Sequence, residues 1–295
     1  KLVRKTVLNS AGSKIHQAWQ SGTQWVEQDL NNGKVVAERL YEGTKLVARK
    51  AWDAAGTLIS NVRWDAAGKL LYRAWRSGSY WTEQEFSNGK IAVERLYLNA
   101  TQLHRKVWDS VGNMTSHIKW DTAGRAILSA WRNGTQWIEQ DLANGKVVGE
   151  RIYQGSVQIA RRVWDTAGTL LSSAKWSTAG TKLFQAWRSG TQWIEQEFSG
   201  GKVAAERLYQ SGKQLYRKTW DAAQKLTSHY KWNTAGQAIF KSWRNGSEWI
   251  EQNLSNGKVV IERMWIGSVQ RHYKTWNEAG SMLSNIKWDS AGKKI

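Results

Sequence analysis

The chain has 295 residues, no cysteine and no proline, and its 43 basic and 24 acidic side chains give a formal net charge of +19. Without cysteine there are no disulfides and no cysteine-based metal site or nucleophile, and no apolar run approaches the roughly 18 residues of a membrane-spanning helix. Proline cannot donate to a sheet ladder, so its absence favours a chain made almost wholly of strands. Because the sequence begins at Lys1 rather than Met, we expect a removed leader or a longer parent protein.

Tryptophan marks an internal repeat. Twenty of the 21 tryptophans recur at a spacing of 56 residues, in the four registers that begin at Trp19, Trp25, Trp52 and Trp64, and Trp265 stands where the other copies have tyrosine. Regular spacing of this kind indicates a tandem-repeat protein. The predicted organisation is one continuous repeat domain, with a partial copy at 1–15 and full repeats at 16–71, 72–127, 128–183, 184–239 and 240–295.

Five strand-like segments follow one another in each repeat. In chain order, the second copy reads KLLYRAWR, SYWTEQEF, KIAVERLY, QLHRKVWD and NMTSHIKWD. Each segment alternates roughly in period two and is rich in β-branched and aromatic residues. Glycine-containing hairpin turns and D-x-x-G turns separate them. The sequence therefore predicts an all-β, antiparallel meander of about 26 strands.

The odd number of strands per repeat constrains the arrangement. In a continuous meander, five strands reverse the strand direction from one repeat to the next, so equivalent residues alternate between the two faces. If instead one segment left the ladder in each repeat, a five-bladed propeller with four-stranded blades would be possible. The partial copy at 1–15 repeats the fifth strand, and it favours an open β-array over the propeller.

The turn between the fourth and fifth strands carries a resemblance. It reads WDAAGTL at 52–58 and WDTAGTL at 164–170, and this W-D-x-A-G-x-L unit resembles the YD/RHS repeats of bacteria, with tryptophan in place of tyrosine. It is similar to the YwqK-like glycine-turn repeats as well. The resemblance implies β-sheet shells and an extracellular or cell-surface setting. It transfers no functional residue, and the 56-residue period departs from both families.

The second and third strands hold the candidate ligand-binding residues. A W-x-E-Q motif on the second strand is followed by E-R on the third, and a planar ring beside acidic, amide and guanidinium groups is typical of sugar sites. The candidate residues, one set per repeat, are Trp25, Glu27 and Arg39; Trp81, Glu83 and Arg95; Trp137, Glu139 and Arg151; Trp193, Glu195 and Arg207; and Trp249, Glu251 and Arg263.

The hairpin register decides what these residues face. A two-residue loop places Glu27 opposite Glu38, whereas a three-residue loop with a glycine bulge brings Arg39 onto the Trp25 face. Like charges directly opposite each other destabilise a sheet, so we favour the second register, with Glu–Arg pairing and Arg–Trp stacking. The first register would place two carboxylates together, as in glycosidic-bond hydrolysis. Five equal active sites in one chain are unusual, and we predict no enzyme.

The remaining aromatic and basic registers have structural interpretations. Trp64 shares a face with apolar residues, and Trp19 shares one with Ile15, so both registers are expected in a core, whereas Trp25 is expected to be exposed. Basic pairs on the fourth strand, beginning with Arg49–Lys50, are suited to nucleic acid or to protecting sheet edges. Alternation places the two members of each pair on opposite faces. The five histidines do not cluster in sequence, and no metal site or cofactor is predicted.

Three functions are therefore open. The first is multivalent, lectin-like binding of glycans or acidic polysaccharide through the repeated Trp/Glu/Arg sites, because five weak sites gain strength together. The second is self-assembly into a homo-oligomer, filament or shell through the sheet ends. The third is binding of nucleic acid or another polyanion, for which the net charge of +19 is suited.

Overall fold

A computed structural model of the protein describes residues 3–295, and Lys1 and Leu2 of the predicted partial repeat lie outside the described residues. The chain divides into two compact units, one up to Val147 and one covering Val148–Ile295. No helix occurs among residues 3–295, and so none there is long and apolar enough to cross a membrane. The predicted all-β class is confirmed.

Thirteen strands lie wholly within the first unit. They are β1 (Arg4–Leu8), β2 (Lys14–Ser21), β3 (Gln24–Asn31), β4 (Lys34–Glu42), β5 (Lys45–Trp52), β6 (Leu58–Trp64), β7 (Leu70–Ser77), β8 (Tyr80–Ser87), β9 (Lys90–Leu98), β10 (Thr101–Trp108), β11 (Met114–Trp120), β12 (Ala126–Asn133) and β13 (Gln136–Ala143). Apart from β1, they follow the predicted segments, five to a repeat, and β1 is the predicted extra copy of a fifth strand.

The second unit repeats the pattern. Its strands are β14 (Lys146–Gln154), β15 (Val157–Trp164), β16 (Leu170–Trp176), β17 (Lys182–Ser189), β18 (Gln192–Ser199), β19 (Lys202–Gln210), β20 (Lys213–Trp220), β21 (Leu226–Trp232), β22 (Ala238–Asn245), β23 (Glu248–Ser255), β24 (Lys258–Ile266), β25 (Val269–Trp276) and β26 (Met282–Lys287). The unit boundary falls two residues inside β14.

Within each unit the strands form an open antiparallel meander. The strands pair with their neighbours in the chain, so that β5, for example, lies between β4 and β6. In the described residues β1 pairs with no strand except β2, and β26 pairs with none except β25. All five segments of a repeat stay in the ladder, so the four-stranded blades of a propeller are not formed. The predicted open β-array is confirmed.

Equivalent residues alternate between the two faces, as the odd strand count predicts. In the first unit, five successive cross-strand pairings join Glu27 to Gln84 and place them on one face. Glu83 is the equivalent of Glu27 and precedes Gln84, so it lies on the opposite face. In the second unit the same series joins Glu195 to Gln252, which places Glu251 on the opposite face.

The tryptophans are neither buried nor exposed. All 21 are half-buried, which corrects the expectation that the Trp19 and Trp64 registers form a core while the Trp25 register is exposed. Within each unit, the described strands that contact one another are neighbours in the chain, so no second layer from the same unit covers either face. A single layer leaves one side of each ring open to water, and alternation along a strand does not reveal how many layers a sheet has.

Small residues supply most of the buried positions. One position of the first strand is only 1–2% exposed in every repeat and holds Ala18, Ala74, Ala130, Ala186 and Ser242. The position four residues before Trp19 behaves in the opposite way: Ile15 is 41% exposed and Leu71 is 46% exposed. Each is the extra residue of a β-bulge, which leaves it outside the ladder. The expectation that Ile15 packs beside Trp19 in a core is therefore wrong.

The two predicted kinds of turn are present. In the D-x-x-G turn after β6, Asp65 Oδ1 accepts from the backbone N–H of Ala67 and of Lys69, at 2.9 and 2.8 Å. Gly68 donates to the Asp65 carbonyl at 2.9 Å and has a φ of 83°. These bonds satisfy the turn backbone locally. The carboxylate therefore defines where one strand ends and the next begins.

The turn between β18 and β19 offers a test of this turn chemistry. Its first residue is Gly200, with a φ of 57°, where four sister turns hold asparagine at a φ of 48–51°. Asparagine tolerates this conformation and restricts the unfolded chain more than glycine does. We expect Gly200→Asn to raise the free energy of unfolding by about 0.4–1 kcal/mol, measured by urea titration. Gly201→Asn, at the glycine that every sister turn keeps, is the control and is expected to give no gain.

Candidate functional site

The candidate site is built on the hairpin of the second and third strands. In the first repeat these strands are β3 and β4, joined by the two-residue turn Asn32–Gly33. An irregularity after Asp29 leaves Val36 as an extra residue, and the register beyond it places Glu27 opposite Arg39 and Trp25 opposite Tyr41. The favoured Glu–Arg register is confirmed. It is produced by a bulge within the strand rather than by a three-residue loop.

One carboxylate links the two aromatic side chains. Trp25 Nε1 donates to Glu27 Oε1 at 3.3 Å, and the Tyr41 hydroxyl donates to Glu27 Oε2 at 3.3 Å. We call this set the Trp–Glu–Tyr cluster, meaning Trp25, Glu27, Tyr41 and their equivalents 56 residues apart. The other four Trp–Glu hydrogen bonds are Trp81–Glu83 at 3.0 Å, Trp137–Glu139 at 3.0 Å, Trp193–Glu195 at 3.1 Å and Trp249–Glu251 at 3.0 Å.

In three repeats the arginine of the site binds mainly to an acid other than the cluster glutamate. Arg39 donates to Asp29 at 2.7 Å and approaches Glu27 only to 4.0 Å. In the second repeat, Arg95 lies 2.7 Å from Glu85 and 3.7 Å from Glu83. The fourth repeat has the same arrangement, with Arg207 2.8 Å from Glu197 and 3.8 Å from Glu195. In the fifth repeat Arg263 donates to Asn253 at 3.0 Å. The cluster glutamate is thus left to the aromatic side chains.

The expected Arg–Trp stacking comes from another arginine. Arg76 on β7 lies over the Trp81 ring at 5.8 Å, and Arg244 on β22 lies over the Trp249 ring at 5.7 Å. Arg76 is directly opposite Trp81 across the β7–β8 hairpin. The arginine of the W-R-x-G turn that precedes the site is therefore the sequence feature that could have predicted this stacking. The stacking role expected for the Arg39 register is therefore wrong.

The sequence interpretation also missed the tyrosine. Tyr41 recurs as Tyr97, Tyr153 and Tyr209, with Trp265 in the last repeat. Its position opposite Trp25 follows once Glu27 is paired with Arg39, because both pairs belong to one register. In the last repeat Trp249 is opposite Trp265. The tyrosine could have been found in the sequence, because this aromatic position recurs every 56 residues and lies outside the four tryptophan registers.

The cluster holds defined protonation states. Burial, followed by the negative charge of Glu27, raises the pKa of Tyr41 above its usual value, so the hydroxyl remains a donor. The hydrogen bond from Arg39 lowers the pKa of Asp29, with His16 contributing. The same bond to Asp29 raises the pKa of Arg39. In the physiological range Tyr41 is therefore neutral, and the adjacent Arg39–Asp29 pair is charged.

In the fourth repeat the cluster borders an open groove. The groove has a volume of about 610 Å³, and its lining includes Arg188, Thr191, Trp193, Glu195, Tyr209 and Ser211. An aromatic pair, a carboxylate, a guanidinium and two hydroxyl-bearing residues thus meet beside the turns that hold Gly190 and Gly212. In the third repeat, Trp137 and Glu139 belong to the first unit, while Arg151 belongs to the second and pairs with Arg161.

The second glutamate register lies on the other face of the sheet. Glu38 is opposite Gln28 and Lys50, and it accepts from Gln28 Nε2 at 2.7 Å and from Lys50 Nζ at 3.3 Å. Glu27 points to the face of Arg39. The two carboxylates of the alternative acid–base pair are therefore separated by the sheet. The same registers confirm that the basic pair Arg49–Lys50 is split between the faces.

Four of the five histidines lie on the Glu38-type face and its equivalents, whereas His16 lies 2.9 Å from Asp29 on the face of Glu27. His104 and His117 have ring centres 6.0 Å apart, and His229 lies 6.1 Å from Tyr216. The Nε2 atoms of His117 and His229 are buried without a hydrogen-bond partner, whereas His104 Nε2 lies 3.4 Å from Glu94 Oε1. Among residues 3–295 no three histidine or acidic side chains are grouped in a way that suits a metal ion.

Comparisons with known proteins leave the family open. No family model matches the chain, and no curated protein matches it. Among solved structures, a mutant of S. aureus TarM in complex with fondaparinux, alpha-GlcNAc-glycerol and UDP matches 37% of this chain at 14% identity, with a TM-score of 0.23. The chain spans 20% of that TarM chain.

Two further structures match almost the full length of the chain. TcdB2-TccC3 without its hypervariable C-terminal region is 9% identical over 99% of this chain and 23% of its own, with a TM-score of 0.15. A structure described as the eukaryotic initiation factor is 10% identical over 95% of this chain and 86% of its own, also with a TM-score of 0.15.

Proposed function

We propose that the protein is a non-enzymatic, multivalent carbohydrate-binding protein whose Trp–Glu–Tyr clusters hold sugar rings. The observation that carries the proposal is the groove of the fourth repeat, where Trp193 and Tyr209 stand side by side on neighbouring strands. Sugars present apolar C–H faces to aromatic rings and hydroxyls to planar polar groups, and this groove offers both. An acidic polysaccharide is the ligand class favoured by the net charge of +19.

The hydrogen bonds within the cluster support this proposal. Because Glu195 accepts from Trp193 Nε1 at 3.1 Å, the edge of the indole is fixed to the sheet, while the ring remains half-buried with no second layer above it. A ring held in one orientation loses little conformational entropy when a ligand stacks on it. Thr191 and Ser211 bring hydroxyl groups to the rim of the groove.

The alternation of faces supports a multivalent mode of binding. In the first unit Trp25 and Trp81 lie on opposite faces, and in the second unit Trp193 and Trp249 do so. Weak single sites gain strength when several bind one polymer or one surface. Sites on both faces are suited to joining two polysaccharide chains, and we propose an extracellular or bacterial cell-surface setting, to which the YD/RHS-like turns are suited.

A tryptophan series tests the proposal. We expect Trp193→Ala to weaken binding of the saccharide found on a glycan array about tenfold or more, because a buried aromatic contact contributes on the order of 1.5–3 kcal/mol. Binding is measured by quenching of tryptophan fluorescence. Trp220→Ala, which removes a half-buried ring outside the clusters, is the matched control. If Trp193→Ala stays folded and binds as the parent protein does, the proposal fails.

A second candidate function is self-assembly through the strand edges. Within the described residues β1 pairs with no strand except β2, and β26 with none except β25, and unpaired edges are templates for pairing with another chain. Electron microscopy over a range of protein concentrations tests this candidate, and a monomer at every concentration rejects it. Nucleic-acid binding is the third candidate, and retention lost only at high salt would favour it.

A further inference from the structure

A second groove lies where the third and fourth repeats meet. It has a volume of about 460 Å³ and is lined by residues of β15, β16 and β17, among them Arg161, Ser172, Ala174, Trp176, Gln185 and Trp187. Ala174 is directly opposite Arg161 on one side and Gln185 on the other, and Ser172 is opposite Trp187. Because Ser172, Ala174 and Trp176 alternate along β16, they share one face. We call this site the Ala174 groove.

The Ala174 groove opens on the face opposite the groove of Trp193. Successive pairings join Glu195 to Ala186 and then to Ser173, and Ser173 precedes Ala174 in β16. The side chains of Ser173 and Ala174 therefore point to opposite faces. A ligand in one groove does not contact the other, and each can be removed by mutation without altering the other.

The small side chain of Ala174 creates the groove. The equivalent positions hold Val62, Ile118 and Tyr230, each between an arginine on the fourth strand and a tryptophan two residues later. In the fourth repeat Tyr230 stacks on Trp232, with centroids 6.0 Å apart and planes 21° from parallel. The larger side chain thus covers the tryptophan face that Ala174 leaves open.

An unpaired positive charge stands at the edge of the groove. Arg161 is exposed, and its guanidinium has no hydrogen bond or ion pair in the part of the chain that the structure describes. It is directly opposite Arg151, although like charges in that relation destabilise a sheet. The same opposition recurs at Arg39–Arg49, Arg95–Arg105 and Arg207–Arg217. In three of these pairs the first arginine binds an acid of its own, and a guanidinium such as that of Arg161 fits a carboxylate with two parallel hydrogen bonds.

We propose that the Ala174 groove binds a carboxylate-bearing sugar of an acidic polysaccharide. Arg161 binds the carboxylate, the ring lies over Ala174 between Trp176 and Trp187, and the Ser172 hydroxyl binds a sugar hydroxyl. The choice of a saccharide rests on the proposed function, whereas the site and its need for a negative charge rest on this groove alone.

The experiment uses the whole protein and oligogalacturonate of four to six residues, with its methyl ester as the neutral form of the same chain. Ala174→Ile fills the groove with the residue that the second repeat carries naturally, so the fold is expected to remain. We expect this variant to bind oligogalacturonate at least tenfold more weakly in calorimetry. Arg161→Gln is expected to remove the preference for the acid over its ester.

A gain of binding provides the reciprocal test. Ile118→Ala opens the equivalent position between Arg105, Trp120 and Trp131, and we expect it to add one oligogalacturonate site to the measured stoichiometry. Unfolding curves of all variants establish that each is folded under the conditions of the titration.

The outcomes separate this inference from the proposed function. If oligogalacturonate binds and Ala174→Ile changes nothing while Trp193→Ala weakens binding, the groove is wrong and the clusters stand. If Ala174→Ile alone abolishes binding, the groove stands without the clusters. If no saccharide binds the parent protein, both fail. If single-stranded DNA binds the parent protein and Ala174→Ile removes that binding, the groove is real but its ligand class is wrong.

Discussion

Replacing Glu94 with alanine is expected to lower the free energy of unfolding by about 2–3 kcal/mol. Its carboxylate is 19% exposed, accepts from Gln84 Nε2 at 2.7 Å and binds Lys106 Nζ at 3.2 Å. Gln84 is itself only 5% exposed and accepts from Arg73 at 2.7 Å. Without Glu94, the Gln84 amide loses its acceptor while buried, and Lys106 loses its counter-charge. Urea titration followed by tryptophan fluorescence measures the loss.

Glu85→Ala is the matched control for this variant. Glu85 lies one strand away, is 45% exposed and binds Arg95 at 2.7 Å. Solvent screens such a pair, so its removal is expected to cost no more than about 1 kcal/mol. If the two variants lose equal free energy of unfolding, the contacts of Glu94 with Gln84 and Lys106 contribute no more than a surface ion pair.

Acidification between pH 6.5 and pH 4 is expected to destabilise the protein through His117 and His229. Burial, followed by the charges of nearby lysines, lowers the pKa of each ring to about 4. The unfolded chain binds a proton near pH 6.5 and the folded chain does not. The free energy of unfolding therefore falls as the pH drops through this window, and the loss is complete below the folded pKa.

The expected loss is about 1–2 kcal/mol per histidine, which is less than the pKa difference alone would give because these rings are not fully buried. Urea titrations at pH 7.5, 6.0 and 4.5 measure it. Asn61 and Asn285 occupy the same position in sister repeats, so the double variant His117→Asn and His229→Asn supplies a natural replacement. Its stability is expected to depend less steeply on pH, and an unchanged slope would assign the effect to other groups.

The lowered pKa of Glu94 does not obscure this window. Burial alone would raise its pKa, but hydrogen bonds from Gln84 and Lys106 together outweigh burial and lower it. A carboxyl of this kind contributes stability above its unfolded pKa, which is near 4.3, and loses that contribution as the pH falls further. Its effect therefore begins where that of the two histidines is nearly complete.

Much of the fold could be predicted from the sequence because its signals are local or periodic. The 56-residue spacing of tryptophan defined the repeats, and the D-x-x-G turns placed strand ends through bonds that Asp65 makes within four residues. The odd count of five strands required Glu27 and Glu83 to lie on opposite faces. The rule against facing like charges selected the pairing of Glu27 with Arg39, although the sequence did not reveal the bulge that produces it.

Tryptophan burial, the positions of the bulges and the identity of the stacking arginine could not be predicted, because they depend on contacts between strands. Whether Trp19 is buried depends on a second layer, and period-two alternation is the same with or without one. The bulges at Ile15 and Val36 are single extra residues whose position is decided by the pairing on both sides. Arg76 rather than Arg95 stacks on the Trp81 ring, because stacking depends on which side chain stands directly opposite.

In both grooves, some lining residues could be predicted from the sequence and others depend on strand pairing. The sequence by itself determined that Trp193, Glu195 and Arg207 recur together and that tryptophan follows two residues after Ala174. It did not show that Tyr209 completes the first site, or that Arg161 and Trp187 surround Ala174. A sheet brings together residues from three strands through its register, and each register depends on turns and bulges elsewhere in the hairpins. Only the tertiary structure combines them, and so only it decided which repeated residues line each groove.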